Sequence, residues 1–145
     1  MTVRGPEPVP TVLVVDMANV VGSVPDGWWR DRVGAAARLL SDLAPLAGTA
    51  VIGPDGALIR LTCVVAVLEG KATMATDPPR VETAGLEIVR AADSGDDAIT
   101  DLALELVAAS VQVLVVTADR GLRARLPGPA MCAGPGWLNK LLGRA

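Results

Sequence analysis

The sequence contains no histidine, no tyrosine and no phenylalanine, and it has only 2 cysteines among its 145 residues. Without histidine, the chain lacks the commonest general base of enzymes and the commonest ligand of zinc. Cys63 lies inside an apolar run, and Cys132 stands in a segment flanked by glycine and proline. Because neither has the close spacing of metal-binding thiols, we predict two reduced thiols and exclude sites built on histidine or on paired cysteines.

Long hydrophobic runs are also missing. No apolar stretch approaches the roughly 18 residues of a transmembrane helix, so no membrane partner is predicted. Residues 1–10 contain 3 prolines and several charges but no apolar core, which is unlike a signal peptide and predicts a flexible leader. We therefore expect a cytoplasmic protein. The net charge of −3 argues against coating of nucleic acid by bulk electrostatic attraction, although it leaves room for a local basic surface.

Apolar residues make up 51% of the chain, mainly as alanine, valine and leucine. Runs rich in valine and isoleucine predict strands buried on both faces, and apolar residues at helical spacing predict helices between them. The predicted strands are residues 11–15, 59–68, 86–90, 111–117 and a small edge strand at 130–132. The predicted helices are residues 28–43, 96–109, 121–126 and a turn at 137–142. This alternation indicates one α/β domain over residues 1–145, with a parallel sheet covered on both sides.

Two adjacent tryptophans open the first predicted helix. Neighbouring residues on a helix point about 100° apart, so Trp28 and Trp29 cannot both face the core. Trp29 fits the apolar stripe of the helix, which leaves Trp28 to cover the preceding loop or to stack on a nucleobase. Of these two roles for Trp28, we favour packing against the loop.

Acidic residues stand where the predicted strands end. Asp16 follows the first strand, Glu69 the second and Asp119 the fourth, while Asp96 and Asp97 begin the helix that precedes the fourth strand. Because ligands bind α/β sheets at the carboxyl ends of the strands, these residues are candidates for one shared site. Two carboxylates about 4 Å apart repel by roughly 4 kcal/mol at an effective dielectric of about 20, so such a cluster requires a cation. With oxygen ligands alone, the expected cation is Mg²⁺ or Mn²⁺.

Each of these acidic residues also has a purely structural explanation. Asp97 stands three residues after a serine in a capping-box pattern, and Asp119 could cap the short helix that follows it. Asp16 and Asn19 could hold a turn, and Glu69 could be a solvated loop residue. At the level of sequence both explanations stay open for every one of them.

Three motifs together resemble those of the PIN-like nucleases, in particular of their NYN branch. They are residues 14–19 (VVDMAN), 94–99 (SGDDAI) and 116–122 (VTADRGL), and they occur in the expected order. The resemblance is closest to small stand-alone bacterial NYN-type domains, whose first motif continues into a segment like residues 25–30 (PDGWWR). It implies a three-layer parallel-sheet fold with strand order 3-2-1-4-5, which brings Asp16 and Asp119 together at the centre of the sheet.

The resemblance also implies a function, which is metal-dependent hydrolysis of a phosphodiester bond in RNA, single strands included. The metal would be Mg²⁺ or Mn²⁺. The implied catalytic metal ligands are Asp16, Asp97 and Asp119, with Asp96 as the alternate to Asp97. Asn19 would be catalytic and substrate-binding, through a hydrogen bond to the metal-bound water or to the scissile phosphate. Met17 departs from the pattern, because the family commonly has glycine there, and its side chain could narrow the approach of the phosphate.

A nuclease must also hold its substrate, and several cations fall near the predicted acidic edge. The substrate-binding candidates are Arg30, Arg120 and Arg123, beside three further cations at Arg32, Lys71 and Arg125. In an acidic chain these could equally be scattered solvated charges.

The main alternative is a nucleic-acid-binding module of the same fold that is catalytically weak or inactive. Other α/β phosphohydrolases fit less well. Haloacid-dehalogenase-like enzymes need an aspartate where Ala18 stands, and the glycine-rich turn of dinucleotide binders and the P-loop are both absent. The RNA substrate, the number of metal ions and the oligomeric state are not specified by the sequence, which is compatible with a monomer or a homodimer.

Overall fold

The computed structural model describes residues 7–78 and 84–144. The strands are β1 (Val9–Asp16), β2 (Ala50–Ile52), β3 (Leu58–Leu68), β4 (Leu86–Arg90), β5 (Gln112–Val116) and β6 (Met131–Ala133). The α-helices are α1 (Met17–Val21), α2 (Arg32–Leu43), α3 (Gly95–Ala108), α4 (Arg120–Arg125) and α5 (Pro135–Leu142). Short 3₁₀ helices lie at Trp28–Arg30, Ala44–Leu46 and Gly70–Met74. Within these ranges no helix combines the length and the apolar character needed to span a membrane.

A mostly parallel sheet lies at the centre of the described fold. β1 pairs in parallel with β3 on one side and with β5 on the other, so that Val15 lies opposite both Ala66 and Val116. β4 extends the sheet beyond β3, and β6 extends it beyond β5. The parallel strands therefore adjoin in the order β4-β3-β1-β5-β6, and the order reverses at β1. In an open α/β sheet this reversal marks the place where ligands bind.

The predicted strand order is matched only in part, because the sheet contains a strand that was not predicted. β2 pairs antiparallel with the first residues of β3, with Ala50 opposite Arg60 and Ile52 opposite Leu58. It shares the outer edge of β3 with β4, which pairs further along at residues 64–68. β2 is only 3 residues long and borders the turn at residues 54–56, so its apolar signal was too short to separate from that turn.

Helices cover both faces of the sheet. Successive side chains of β1 point to opposite faces and so contribute to both cores. Leu13 and Val15 pack in a core shared with α1, α2 and α5. Val12 and Val14 point the other way and pack in a core shared with α3 and α4. Strands that are apolar on both faces require this arrangement, since each face must be shielded from water. The predicted α/β class is confirmed.

The flexible leader was predicted too long. Val9 and Pro10 already belong to β1 and lie opposite Ile59 and Arg60 of β3, whereas residues 1–6 lie outside the described part. Pro10 is tolerated because the pairing of β1 with β5 starts only at Thr11, so on that side the missing N–H of proline costs no ladder bond.

The tryptophan pair was also assigned the wrong way round. Trp29 is 52% exposed, whereas Trp28 is half-buried and packs against the core. The prediction failed because the helix does not run through them. A 3₁₀ helix carries both tryptophans, and α2 starts afresh after Asp31, whose carboxylate accepts a hydrogen bond from the Gly34 N–H at 2.9 Å. The helical register of α2 therefore does not extend back to Trp29.

The two cysteines form no disulfide. Cys63 on β3 and Cys132 on β6 are both free and half-buried. Burial, and then the neighbouring charge of Glu87, raises the pKa of the Cys63 thiol, which keeps it protonated and unreactive near neutral pH. This agrees with the prediction of two reduced, structural thiols.

Candidate functional site

Asp16 occupies the centre of the site, at the carboxyl end of the central strand. Its side chain is only 7% exposed. One carboxylate oxygen, Oδ2, accepts a hydrogen bond from the Thr117 hydroxyl at 2.8 Å, and Oδ1 accepts one from the Asn19 N–H at 3.4 Å, which caps α1. Burial is the largest influence on the pKa of Asp16 and raises it, although both hydrogen bonds act to lower it. A buried aspartate with no cationic partner is costly in its charged form.

Thr117 joins the ends of β1 and β5. Its hydroxyl donates to Asp16 and at the same time accepts a hydrogen bond from the Asp119 N–H at 3.1 Å. The Asp119 carboxylate then caps α4 by accepting from the Leu122 N–H at 3.0 Å. The sequence had assigned no role to Thr117. The available signal was a hydroxyl side chain at the end of the largely apolar predicted strand 111–117, two residues before Asp119.

We expect Thr117→Val to destabilise the protein by about 1–3 kcal/mol, although valine has nearly the same shape. The substitution leaves the buried Asp16 carboxylate without its shortest hydrogen bond and also deprives the Asp119 N–H of its acceptor. Urea denaturation of the wild type and the variant measures the difference.

Thr100→Val is the matched control, because Thr100 is also buried and its hydroxyl donates only to the Asp96 carbonyl at 2.8 Å. That carbonyl lies in α3 and keeps its helical bond, so the control should lose less than about 1 kcal/mol. Equal losses in the two variants would show that Thr117 does not organise the site.

Asn19 links α1 to the segment after β5. Its Oδ1 accepts a hydrogen bond from the Ala118 N–H at 2.8 Å, which fixes the orientation of the side-chain amide. The Nδ2 group has no partner among the residues that the structure describes and remains free to donate. Asn19 therefore lies beside Asp16 and is bonded to the segment that carries Asp119.

Glu69 brings the start of α3 to the same edge. Its Oε2 accepts a hydrogen bond from the Gly95 N–H at 2.9 Å. A Cβ at Gly95 would lie only 3.0 Å from that oxygen, so glycine permits the close approach. Asp96 follows directly. Burial raises its pKa, and repulsion from Asp119 and Glu69 raises it further, with Arg125 acting weakly in the other direction.

Asp97 lies differently from its neighbour. Its Oδ1 forms an ion pair with Arg125 at 2.6 Å on the solvent side, where both side chains are largely exposed. Its backbone N–H donates to Ser94 Oγ at 3.4 Å, so the capping serine of the predicted capping box is present. From the start of α3, the charge of Asp96 contributes to the raised pKa of Asp16. Asp97 is thus engaged with Arg125, whereas the charge of Asp96 acts together with those of Asp119 and Glu69.

The acidic edge is the name we give to Asp16, Glu69, Asp96 and Asp119. None of these four carboxylates forms an ion pair within residues 7–78 and 84–144, where the ion pairs are Arg90–Asp77 and Arg125–Asp97. Burial is the main cause of the raised pKa of Asp16, and the charges of Asp96 and Glu69 raise this pKa further. The edge therefore carries negative charge that no fixed cation of the described part neutralises by direct contact.

The donors of the acidic edge are all carboxylate oxygens, which hard divalent ions prefer as ligands. As the side chains stand, no three carboxylate or thiol groups of the described residues are close enough together to hold one metal ion. Mg²⁺ does not need three, since it keeps several waters and commonly binds to one or two carboxylates together with substrate phosphates. All donors at the acidic edge are oxygens, which fits Mg²⁺ or Mn²⁺ and does not fit zinc.

The predicted basic residues do not form one continuous surface. Arg123 donates from Nε and Nη2 to the Thr117 carbonyl at 2.9 and 2.7 Å, so it holds the end of β5 in place. The Arg30 guanidinium lies 5.9 Å from the centre of the Trp29 ring. Arg120 is exposed at the first position of α4, next to Asp119. Of the three predicted substrate-binding arginines, Arg120 thus adjoins the acidic edge. Arg123 instead stabilises the segment at the end of β5 that leads to Asp119.

A cleft of about 430 Å³ adjoins the acidic edge, and it was not predicted from the sequence. It lies between α1, α2 and the 3₁₀ helix Gly70–Met74. Trp28 contributes apolar surface, and Arg32 and Lys71 supply positive charge. Glu69 belongs both to the cleft and to the acidic edge. Met17, the residue that departs from the family pattern, is 1% exposed and packs in the core beneath the cleft.

Comparison with known proteins identifies a shared fold. The chain is similar to the crystal structure of a mutant of Rae1 (YacP) from Bacillus subtilis, with a TM-score of 0.63 and 17% sequence identity. The similarity covers 92% of this chain and 75% of the other. No protein-family model matches the chain, and no curated protein matches it in sequence. Because the identity is low, the function must be inferred from the residues of this chain.

Proposed function

We propose that this protein is a divalent-metal-dependent phosphodiester hydrolase that acts on RNA. The observation that carries the proposal is the acidic edge, whose carboxylates lie near the point where the strand order reverses, with the charges of Asp96 and Glu69 acting on Asp16. Support also comes from the three motifs that resemble the NYN branch of the PIN-like nucleases and from the fold shared with Rae1.

Asp16 and Asp96 are the residues that we propose as the main metal ligands, with Asp119 as the third. This revises the ligand set implied by the motifs, because Asp97 is engaged with Arg125. Bound Mg²⁺ or Mn²⁺ would lower the pKa of water and offset the charge of the phosphate, chemistry that needs no histidine. Asp16 is suited to this role because its buried, hydrogen-bonded carboxylate cannot reorient freely.

The remaining groups of the chain would orient the RNA. The Nδ2 of Asn19 is a donor whose direction is fixed by the bond from Ala118, so it can hold a phosphate oxygen beside Asp16. Arg120 is exposed beside Asp119 and can bind the phosphate backbone. Arg123 acts as a positioning residue, since its guanidinium is engaged with the Thr117 carbonyl.

We expect Mn²⁺ and Mg²⁺ to support cleavage of single-stranded RNA, and Ca²⁺ to compete with them while supporting cleavage poorly. Ca²⁺ accepts a looser coordination, which aligns an attacking water less well. The measurement is cleavage of end-labelled RNA in each metal and in EDTA. Asp119→Asn serves as the control against a contaminating nuclease, because asparagine can still cap α4 while removing the carboxylate. Full activity in EDTA would contradict the proposal.

A second function is favoured by one specific observation. Because no three potential ligands of the described residues converge as they stand, a binding module of the same fold with little or no catalysis is the competing proposal. It predicts RNA binding that is equal in EDTA and in Mg²⁺, without cleavage in either. The same labelled RNA, followed by gel shift and by product formation, separates the two functions.

A further inference from the structure

The cleft beside the acidic edge has the composition of a nucleotide-binding site. It starts where the acidic edge ends, because Met17 and Ala18 follow Asp16 in the chain and Glu69 belongs to both. Its volume of about 430 Å³ falls in the range of small-molecule sites. A strand of RNA whose phosphate lay at the acidic edge would therefore place its next nucleotide at or in this cleft.

Two cations of the cleft have no carboxylate partner in the described residues. The Arg32 guanidinium lies over the ring of Trp28, 5.5 Å from its centre. This cation–π contact holds the guanidinium in place and leaves its N–H groups directed outward around its edge. Lys71 lies in the 3₁₀ helix Gly70–Met74 and lines the same cleft. Neither residue appears in the ion pairs of residues 7–78 and 84–144.

The apolar part of the cleft suits a base. Trp28 is partly exposed there, above the buried Met17, Val21 and Ala36, so a flat aromatic ring would bury apolar surface against Trp28. Glu69 and Asp93 also line the cleft, which means that an anion is attracted to the two cations and repelled from the acidic side. The cleft thus separates a place for phosphate from a place for a base.

On these grounds we infer that the cleft binds the nucleotide next to the scissile bond of a single-stranded RNA. Its phosphate contacts Arg32 and Lys71, and its base packs against the Trp28 side of the cleft. This inference rests on the proposed function for the identity of the ligand. It assigns to the cleft a positioning role that is separate from the chemistry at Asp16.

The test uses the full chain in EDTA, so that binding is measured without cleavage. The probe is a short fluorescein-labelled single-stranded RNA, followed by anisotropy. Arg32→Ala and Lys71→Ala should each weaken binding about tenfold, the effect of losing one charge-assisted hydrogen bond. Each should also lower the salt dependence of log K by about 0.7, the contribution of one phosphate contact on a single strand. A purely structural role would not change that slope.

Matched controls and a blocking variant sharpen the test. Arg38 is exposed on the same helix as Arg32 and Lys140 is exposed on α5, and neither lines the cleft. Arg38→Ala and Lys140→Ala should leave binding unchanged. Ala72→Leu narrows the cleft without changing charge and should weaken binding of the single strand more than that of a duplex, whose bases cannot enter. Thermal melts confirm that each variant is folded.

Equal losses in the cleft variants and the controls, or no loss in either, would overturn the inference. The outcome is independent of catalysis. If the protein binds through the cleft but cleaves nothing in Mn²⁺, the proposed hydrolase fails and the cleft stands. If it cleaves RNA with a KM that none of the cleft variants changes, the hydrolase stands and the cleft fails.

Discussion

Asp16→Asn is expected to reduce RNA cleavage by about a thousandfold and yet to stabilise the metal-free protein. The loss of activity follows from removing the central charge of the acidic edge, at the scale of other groups that stabilise a transition state electrostatically. The gain in stability follows from burial, which makes the ionised Asp16 unfavourable in the folded state. Asparagine keeps the shape and can accept the bond from the Asn19 N–H. We expect a gain of about 1 kcal/mol, typical of substitutions that trade function for stability.

The pH dependence of this gain follows from the raised pKa of Asp16. Above that pKa, the folded wild type carries a buried charge that the unfolded chain would carry in water, so the advantage of the variant is complete there. As the pH falls through the raised pKa, the folded wild type takes up the proton and the advantage shrinks. Below the ordinary value of 3.8 it should vanish, since Asp16 is then protonated in both states.

Thermal melts of both proteins in EDTA and in excess Mg²⁺ make the measurement. Saturating Mg²⁺ should stabilise the wild type and shrink or reverse the difference, because only an intact site gains from the bound ion. Asp31→Asn is the control, since Asp31 caps α2 as Asp16 caps α1 but is exposed. It should change neither stability in a metal-dependent way nor activity. An Asp16→Asn variant that melts at or below the wild type in EDTA, with Mg²⁺ shifting both equally, would make Asp16 a turn residue only.

Substituting asparagine for each of the two adjacent aspartates of α3 in turn should give very different rates of RNA cleavage. Asp96→Asn is expected to lower cleavage about a hundredfold or more, because Asp96 is the carboxylate whose charge acts on Asp16. Asp97→Asn should leave cleavage within about twofold, since it disrupts an exposed ion pair with Arg125, and such pairs contribute roughly 0–1 kcal/mol. Each variant is the other's control for expression, charge and helix start. Initial rates in Mn²⁺ decide between them.

The reverse pattern would restore the ligand set implied by the motifs and would show that Asp97 leaves Arg125 when metal and RNA bind. Equal activity in both variants would place the chemistry away from the start of α3. The metal requirement should follow the same division. Asp96→Asn should need more Mn²⁺ for half-maximal cleavage than the wild type, and Asp97→Asn should not.

The parts of the fold that the sequence predicted are those that local patterns determine. The long apolar runs identified the parallel strands, and the ends of these strands located Asp16 and Asp119 at one edge. The missed parts depend on tertiary contacts or on very short signals. β2 has 3 residues, and the helix at the tryptophan pair is interrupted by a 3₁₀ helix that periodicity cannot distinguish from an α-helix.

The choice between Asp96 and Asp97 shows the same limit within the site. Both aspartates follow the same strong helix-start signal. A sequence motif therefore does not show which of the two adjacent residues belongs to the site. What separates them is the bond from the Gly95 N–H to Glu69, 26 residues away, and the ion pair of Asp97 with Arg125, 28 residues away. Thr117 escaped notice for a related reason, since its function depends on two partners that only the folded sheet brings together.

Crystals of the protein soaked in Mn²⁺ test most directly whether the acidic edge binds a divalent metal. We expect an anomalous difference peak in contact with the Asp16 carboxylate and with at least one of Asp96 and Asp119, completed by water. Crystals of Asp16→Asn, soaked in the same way, should lose the peak. Saturating Mn²⁺ that gives no peak at the acidic edge of the wild type, or a peak that persists unchanged in Asp16→Asn, would contradict the account.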